Sequence, residues 1–423
     1  MTTRTDCCAL DAADALAPLR ELFALPRGRV YLDGNSLGPL PKAALGRLSR
    51  VAAHEWAEGL IASWNDARWI DLPRVAGDKV GRVVGAGPGE VVVADSTSVN
   101  LHKALGAALD LASERAPQRR VILTERHNFP TDLYIAGSLA RERGPTLRRA
   151  DDVLAALDGD VAVVTLTQVD YRTGRLTAMA PVNRAAHEAG ALTVWDLSHS
   201  AGVVPIALHG GAAAEACDFA VGCGYKYLNG GPGAPAYLWV HPRHLAHMQE
   251  AGTPPPLPGW LGHADPFAFS EDYRPAPGIA RFQCGTPPIL SLAAMECGVD
   301  TVLAAAPFGG MPALRRKSQA LTELFIALVD ARCAGLGLTL RTPRDPQLRG
   351  SQVSYAFEGD GYAVMQALIE RGVVGDFRAP DLLRFGFSPL FNRHTDAYDA
   401  CKTLRAVLEG GAWRTPCPRG RVT

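Results

Sequence analysis

The sequence lacks the charge bias, the long apolar runs and the leader segment that mark several classes of protein. Its 43 Lys and Arg residues are balanced by 43 Asp and Glu residues, so no excess positive charge indicates binding to nucleic acid or to an anionic membrane. No window approaches the roughly 20 uninterrupted apolar residues of a membrane span. The N-terminus has no apolar signal-peptide core. We therefore expect a soluble, cytoplasmic protein with no nucleic-acid or membrane partner.

Disulfide, metal and nucleotide motifs are also missing. The nine cysteines are scattered along 423 residues without a CxxC pair, which favours reduced thiols over a disulfide framework. Because GxGxxG, P-loop and GxSxG patterns are absent, dinucleotide, nucleoside triphosphate and esterase functions have no support. His241, His244 and His247 have the spacing of a helix face, but no partner carboxylate is evident nearby in the sequence. We therefore predict no metal site.

What the sequence does contain is an alternation of apolar strands and helical stretches. Residues 161–169 form a near-continuous apolar run, typical of a strand buried on both faces, and residues 191–197 and 218–227 are further predicted strands. This alternation predicts an α/β fold with a mainly parallel sheet covered by helices. After the Pro- and Gly-rich segment 251–288, a second, smaller α/β domain is predicted to begin near residue 300. Helical spacing predicts helices at 9–25, 291–305, 313–333, 361–371 and 396–409.

Three residues near the ends of predicted strands suggest a cofactor site. Asp196 ends one strand, His199 follows it by three positions, and Lys226 ends the next strand. A lysine amine can hold an aldehyde cofactor, and a carboxylate can keep a pyridinium ring protonated. Open α/β sheets bind ligands at the carboxyl ends of their strands. Each residue alone has an ordinary explanation, as a surface lysine, a helix cap or a structural histidine, but their order favours a shared site.

A phosphate could bind at the start of the predicted helix that follows residues 91–94. Ser96, Thr97 and Ser98 lie at this start, where free backbone N–H groups and hydroxyls attract anions. Simple helix capping is the alternative interpretation of these hydroxyls. The turn-rich segment 30–41 likewise reads, by composition alone, as a connecting loop.

Several motifs are together similar to those of one family. These motifs are GNSLG (34–38), SHSAG (198–202), YKYLNGG (225–231) and GWLGH (259–263). They resemble kynureninases, which belong to the fold-type I, class V pyridoxal phosphate enzymes, and the resemblance runs from about residue 30 to 400. It implies an N-terminal arm at 1–50 that contributes to the small domain, a large cofactor-binding domain at 51–300 and a small C-terminal domain at 301–423.

The resemblance also implies roles for individual residues. Lys226 would form a Schiff base with pyridoxal phosphate, Asp196 would pair with the pyridinium nitrogen, and His199 would contact the cofactor. Phe129 would stack on the ring, and Tyr225 would bind the phosphate and is a candidate proton donor. Further implied cofactor contacts are Thr97, Ser98, Pro130, Thr131, Asp132 and Thr167.

The substrate and a second subunit are implied in the same way. Arg384 matches an arginine that grips the substrate carboxylate, a task suited to its bidentate fork, and Asn35 and Ser36 are implied substrate contacts. Trp260 and Thr286 match positions that reach the cofactor phosphate of the neighbouring subunit, so the resemblance implies a homodimer.

The implied reaction is hydrolysis of L-kynurenine, or of its 3-hydroxy form, to anthranilate or 3-hydroxyanthranilate and L-alanine. Thr97, Thr167 and Thr286 stand where some relatives carry Leu, Ser and Asn, changes that should preserve cofactor binding. Leu261 replaces a Phe of the animal enzymes, which leaves the preference between the two substrates open. The base for carbonyl hydration is not identified. Two alternatives remain: another class V enzyme, such as a transaminase or a desulfurase with Cys333 as sulfur acceptor, or a non-catalytic protein that has kept the fold.

Overall fold

The structure is a computed structural model that describes residues 2–414 and residue 420. The described helices are α1 (Arg4–Ala12), α2 (Lys42–Arg50), α3 (Ser63–Asp66), α4 (Leu72–Val84), α5 (Thr97–Arg115), α6 (Pro130–Arg143), α7 (Met179–Glu188), α8 (Pro242–Glu250), α9 (Ile289–Leu303), α10 (Gly310–Arg332), α11 (Gly361–Glu370) and α12 (His394–Gly410). The described strands are β1 (Val30–Tyr31), β2 (Val91–Val93), β3 (Val121–Glu125), β4 (Thr146–Ala150), β5 (Val161–Thr167), β6 (Leu192–Asp196), β7 (Phe219–Gly222), β8 (Tyr237–Val240), β9 (Leu338–Leu340), β10 (Gln352–Phe357), β11 (Val373–Val374), β12 (Asp376–Arg378) and β13 (Leu382–Gly386).

A seven-stranded sheet forms the centre of the fold, in the order β2-β8-β7-β6-β5-β3-β4. Only β8 runs against the other six described strands, so the sheet is mainly parallel. Every residue of β5 and β6 is buried, as expected for strands with helices on both faces. One face packs against α5 and α6, and the other packs against α4, α7 and α9. The predicted α/β class is confirmed.

A four-stranded antiparallel sheet, in the order β12-β13-β10-β9, forms a second core with α10, α11 and α12. The N-terminal segment joins this unit, because β1 pairs in parallel with β11 and α1 packs against α12. These contacts support an arm that contributes to the small domain. The predicted bounds at residues 50 and 300 stay predictions, and α9 crosses the second of them.

Two predicted elements were wrong in extent. Residues 9–25 are not one helix, because the Asp14 carboxylate accepts a hydrogen bond from the Leu16 backbone and a separate 3₁₀-helix follows at Ala17–Leu22. The strand predicted at 218–227 ends at Gly222. Beyond it the chain turns, with the backbone N–H of Gly230 donating to the carbonyl of Gly224 at 2.9 Å. Lys226 therefore lies in a turn after β7 and not at the end of a strand.

The segment Ile289–Phe308 is long and apolar enough to cross a membrane by length and composition alone. Half of its most apolar window is buried, and α9 within it packs against α2 and α4. Packing of this kind is what a core helix of the large sheet requires.

Candidate active site

A cavity of about 690 Å³ lies at the carboxyl ends of β5 and β6. Thr167 ends β5 and Asp196 ends β6, so both side chains reach the same edge of the sheet. Most of the predicted cofactor residues line this cavity. They are Thr97, Ser98, Phe129, Thr131, Asp132, Thr167, Asp196, His199, Tyr225, Lys226 and Thr286.

The Lys226 amine lies within 6 Å of the centroids of two aromatic rings. Its Nζ is 5.9 Å from the centroid of the Phe129 ring and 5.8 Å from that of the Tyr225 ring. The turn that carries it is held by neighbouring backbone, since the N–H of Gly38 donates to the carbonyl of Tyr225 at 2.8 Å. The amine is thus presented to the cavity by a fixed turn, which a reactive lysine requires.

Two buried carboxyl groups face the same cavity. The Asp196 carboxylate accepts a hydrogen bond from the Ser198 backbone N–H at 2.7 Å. Burial raises the pKa of Asp196, while Ser198 and the charge of Lys226 act in the opposite direction. Burial and the charge of Asp196 raise the pKa of Asp132 well above its usual range. Asp132 therefore keeps its proton more firmly, and Asp196 is the carboxyl better suited to pair with a cationic ring nitrogen.

His199 is a neutral imidazole at this edge of the sheet. Burial lowers the pKa of His199 well below its usual range, and the charges of Lys226 and Arg384 lower it further. The backbone of Asn35 acts in the opposite direction on this pKa, but less strongly than burial. A neutral, buried ring can stack on a planar cofactor without adding charge to the cavity.

The start of α5 contributes the hydroxyl groups of the cavity. The Ser96 hydroxyl caps the helix by accepting a hydrogen bond from the Val99 backbone N–H at 3.4 Å, so the capping interpretation is correct for Ser96. Thr97 and Ser98 line the cavity from the first turn of the helix. A helix N-terminus with hydroxyls beside it is suited to an anion such as phosphate.

The predicted substrate residues Arg384, Asn35 and Ser36 do not line the cavity; they belong to a hydrogen-bonded network around Asp376 and Gln352 that reaches the lining residue Tyr171. Arg384 donates from Nε to Asp376 at 2.6 Å and from Nη2 to its second carboxylate oxygen. The Arg384 Nη1 donates to the carbonyl of Tyr171, which itself lines the cavity. The Ser36 hydroxyl donates to Asp376 at 2.8 Å, and Asn35 donates to Gln352 at 3.1 Å.

Comparisons with known proteins are consistent with this geometry. A family model described as "Kynureninase C-terminal domain" matches residues 314–404. The kynureninase of Pseudomonas fluorescens is 53% identical over 418 residues, which cover 98% of this chain and 97% of that protein. The kynureninase of Burkholderia pseudomallei is 52% identical over 421 residues, 98% of each chain. The chain belongs to the kynureninase family.

Solved structures outside the kynureninase family share the fold. A cysteine desulfurase from Thermococcus onnurineus NA1 superposes with a TM-score of 0.74 at 18% identity, covering 93% of this chain and 98% of that chain. A mutant of C-DES, with glycine covalently linked to its PLP cofactor, gives a TM-score of 0.75 at 16% identity, covering 91% and 98%. At these identities the likeness establishes the fold alone.

Two predicted cofactor residues, Trp260 and Pro130, do not line the cavity, whereas Thr286, which is predicted to reach the neighbouring subunit, lines the cavity of its own chain. Trp260 lies outside it, 41% exposed, with its ring 5.8 Å from that of Phe267. Pro130 is the first residue of α6 and follows Phe129 without lining the cavity. The contact of Trp260 and Thr286 with a neighbouring subunit stays a prediction.

The residues named for alternative functions lie elsewhere. Cys333 is 3% exposed in the core of the small domain and does not line the cavity, so it is not a mobile sulfur acceptor. His244 hydrogen-bonds to Asp218 and His247 to Glu114. No group of three His, Cys, Asp or Glu residues suited to a metal occurs in the described part of the chain.

The sequence analysis missed Asp376, Tyr171 and Asp33. Asp376 and Arg384 face each other across the antiparallel pair of β12 and β13, a pairing that no local pattern reveals. Asp33 directly precedes the GNSLG motif, so that motif was a signal for it. Burial and the charge of Asp376 raise the pKa of Asp33 to about 7.

Proposed function

We propose that this protein is a pyridoxal phosphate-dependent hydrolase that cleaves L-kynurenine, or its 3-hydroxy form, to anthranilate, or 3-hydroxyanthranilate, and L-alanine in tryptophan degradation. The observation that carries the proposal is that Lys226, Asp196 and the hydroxyl-rich start of α5 face one cavity of about 690 Å³. Its identity of 53% with the kynureninase of Pseudomonas fluorescens supports this substrate class.

The residues of the cavity fit pyridoxal phosphate. Lys226 supplies the amine for the aldehyde, and the buried Asp196 supplies the partner for the ring nitrogen. Phe129 and His199 would contact the ring, and Thr97 and Ser98 at the helix start would bind the phosphate. When bound, pyridoxal phosphate supplies an electron sink for the carbon atoms of the substrate.

The side chains of the cavity move the protons of the reaction. We assign removal of the substrate Cα proton to Lys226, whose amine is the base presented to the cavity. The neighbouring Cys223 sulfur and burial raise the pKa of Tyr225, so its phenol stays protonated at neutral pH. Tyr225 can therefore donate a proton to Cβ of the departing alanine. One water molecule is consumed, and its oxygen ends in the carboxylate of anthranilate.

Arg384 orients the substrate through its α-carboxylate. Asp376 fixes the guanidinium by two hydrogen bonds, which leaves Nη1 and Nη2 on the side of Tyr171 and Ser36. A bound carboxylate would replace the weaker of these contacts, such as that of Nη2 with the Ser36 hydroxyl at 3.4 Å. Asn35 and Ser36 would then complete the carboxylate site.

The assembly and location belong to the same proposal. The protein acts as a homodimer in which Trp260 and Thr286 reach the cofactor phosphate of the partner, and several large apolar side chains exposed between residues 257 and 269 support such an interface. We place it in the cytoplasm, which agrees with the eight unpaired cysteines in the described part of the chain.

The test is an assay of the purified protein with L-kynurenine and with its 3-hydroxy form, in which anthranilate fluorescence and alanine are followed. Lys226→Ala should remove turnover by at least about 10³-fold, since it deletes both the cofactor anchor and the base. The control is Lys42→Ala, which removes an exposed lysine paired with Glu21 at 3.5 Å and should leave turnover unchanged.

Other products would contradict the proposal. A keto acid without anthranilate would indicate a transaminase, and sulfide release from cysteine would indicate a desulfurase. A colourless protein without a borohydride-reducible adduct at Lys226 would indicate a non-catalytic protein that has kept the fold.

A further inference from the structure

A buried lysine belongs to α5, the helix whose start forms the proposed phosphate site. Lys103 belongs to the second turn of α5 and is fully buried. Its Nζ donates to the Asp95 carboxylate at 2.8 Å and to the carbonyl of Phe282 at 2.6 Å. A buried ammonium is costly unless it is paired, and the described contacts pair it with one charge and one carbonyl. The proposed reaction gives this lysine no role.

The partner of Lys103 occupies a special position in the chain. Asp95 directly precedes the cap residue Ser96, lines the cavity, and adopts a left-handed backbone conformation with φ of 52°. Its carbonyl accepts a hydrogen bond from the N–H of Ala236 at 2.9 Å. The conformation of Asp95 therefore sets the direction in which the first turn of α5 enters the cavity.

The charge of Asp95 is a problem for an anion in this cavity. Among the residues that the structure describes, the lining contains three carboxyl groups, of Asp95, Asp132 and Asp196, and Lys226 is its only lysine or arginine. Asp95 is the carboxyl nearest in sequence to Thr97 and Ser98, where the phosphate is proposed to bind. A carboxylate beside a phosphate dianion repels it unless a cation lies close by.

Lys103 also connects the helix start to another part of the lining. Lys103 donates to the carbonyl of Phe282. Phe282 is followed by Gln283, Gly285 and Thr286, which all line the cavity. One ammonium thus contacts both the turn before α5 and the segment 282–286.

We propose that Lys103 is a positioning residue for the cofactor phosphate, which cancels the charge of Asp95 and holds the start of α5 against the segment 282–286. The inference rests on the proposed phosphate site at Thr97 and Ser98. It predicts that the pair Lys103–Asp95 controls anion affinity even though neither residue is assigned a direct contact with the phosphate.

The test measures binding of inorganic phosphate to the full-length chain freed of cofactor, by isothermal titration calorimetry. Lys103→Met should weaken phosphate affinity by about tenfold, the order of one unneutralised charge near a dianion. Asp95→Asn keeps the side-chain shape, tolerates the left-handed conformation and leaves Lys103 charged, so affinity should equal or exceed that of the unaltered chain. The double variant should return to within about threefold of the unaltered chain, because neither charge remains.

The outcomes separate the inference from the site on which it rests. Ser98→Ala should also weaken phosphate binding. The inference about Lys103 is overturned, and the phosphate site is retained, if Ser98→Ala weakens phosphate binding but Lys103→Met does not. The same conclusion follows if the double variant binds phosphate as weakly as Lys103→Met. If Lys103→Met does not fold, a weaker affinity of Asp95→Asn overturns the inference by itself. No response to Ser98→Ala overturns the phosphate site and the inference together.

Discussion

Asp33 is a single residue that can link the proposed substrate site to pH. Its side chain is half-buried near Asp376, and its buried Oδ1 has no hydrogen-bond partner among the described residues. Burial and the charge of Asp376 raise the pKa of Asp33 from the ordinary 3.8 to about 7. Below about pH 7 the folded protein therefore holds this group as a neutral acid beside the Arg384–Asp376 ion pair.

We expect Asp33→Asn to flatten the pH dependence of stability. Between the two pKa values the folded state binds the proton and the unfolded state does not, so the contribution of Asp33 to stability falls as pH rises from about 4 to about 7. Asn mimics the neutral acid and does not titrate, so the variant should be more stable than the unaltered protein at pH 8, by roughly 4 kcal/mol for a shift of about three pKa units. The measurement is urea unfolding at pH 5, 6, 7 and 8.

The control is Asp66→Asn, which alters an exposed aspartate of α3. Its free energy of unfolding should depend on pH in the same way as that of the unaltered protein. If Asp33→Asn is as stable as the unaltered protein at both pH 5 and pH 8, Asp33 does not carry this proton.

At the scale of elements, Asp218 joins two helices to the large sheet at the end opposite the cavity. Its carboxylate is fully buried and accepts hydrogen bonds from His187 of α7 at 2.8 Å, from His244 of α8 at 2.7 Å and from the backbone N–H of Thr193 in β6 at 2.8 Å. Arg243 of α8 pairs with the same carboxylate. Although burial acts in the opposite direction, the hydrogen bonds from His187 and His244 hold the pKa of Asp218 far below its usual range.

Asp218→Asn should therefore destabilise the fold by about 3–5 kcal/mol at pH 7, because a buried charge network loses its central anion. The native carboxylate contributes fully above the ordinary pKa of 3.8, and this contribution shrinks as pH falls below that value, so the gap between variant and unaltered protein should narrow in acid. Urea unfolding at pH 7 and pH 3 measures both effects. Asp158→Asn removes an exposed partner of Arg148 and should change little. If Asp218→Asn and Asp158→Asn lose equal stability at pH 7, the proposed role of Asp218 in joining the helices to the sheet is refuted.

The elements that could be predicted from the sequence are those whose signal is local. The apolar run 161–169 contains β5, and Asp196 was placed correctly at the end of β6 because both follow from a short stretch of chain. The N-terminal hydroxyls of α5 were predicted for the same reason. The turn at Lys226 was not, because it depends on tertiary packing: a side chain at Gly224 would place its Cβ 2.8 Å from the Met295 sulfur of α9.

Contacts between segments that are distant in the chain could not be predicted from the sequence. The bond of Ser36 to Asp376 joins residues 340 positions apart, and that of Lys103 to Phe282 joins residues 179 apart. Each contact depends on how the two sheets and the irregular segment 251–288 pack together. The hydrophobic periodicity of the sequence does not indicate that packing. Arg384 was identified by family resemblance, whereas its counter-ion needed the register of β12 and β13.

At the scale of the whole molecule, the irregular segment 251–288 carries large aromatic side chains that its own chain does not cover. Trp260, Phe267 and Phe269 are 41%, 64% and 78% exposed, although aromatic side chains of this size are normally covered. The same segment continues into Gln283 and Thr286, which line the cavity. A partner subunit that covers the aromatic side chains would therefore also fix one wall of the site.

We expect Trp260→Ala to weaken the dimer and the cofactor site together. Loss of a central aromatic contact in an interface costs about 2 kcal/mol or more, so the dimer dissociation constant should rise by at least about tenfold. Sedimentation velocity over a dilution series measures the dissociation constant, and titration with pyridoxal phosphate at each dilution measures cofactor affinity. Phe308→Ala, which alters an exposed aromatic residue outside the segment 251–288, should change neither quantity. Trp260 lies outside the cavity of its own chain, so a fall in cofactor affinity that accompanies dissociation of the dimer would indicate that Trp260 acts at the partner's site. If the unaltered protein is monomeric at micromolar concentration, the proposed homodimer is refuted.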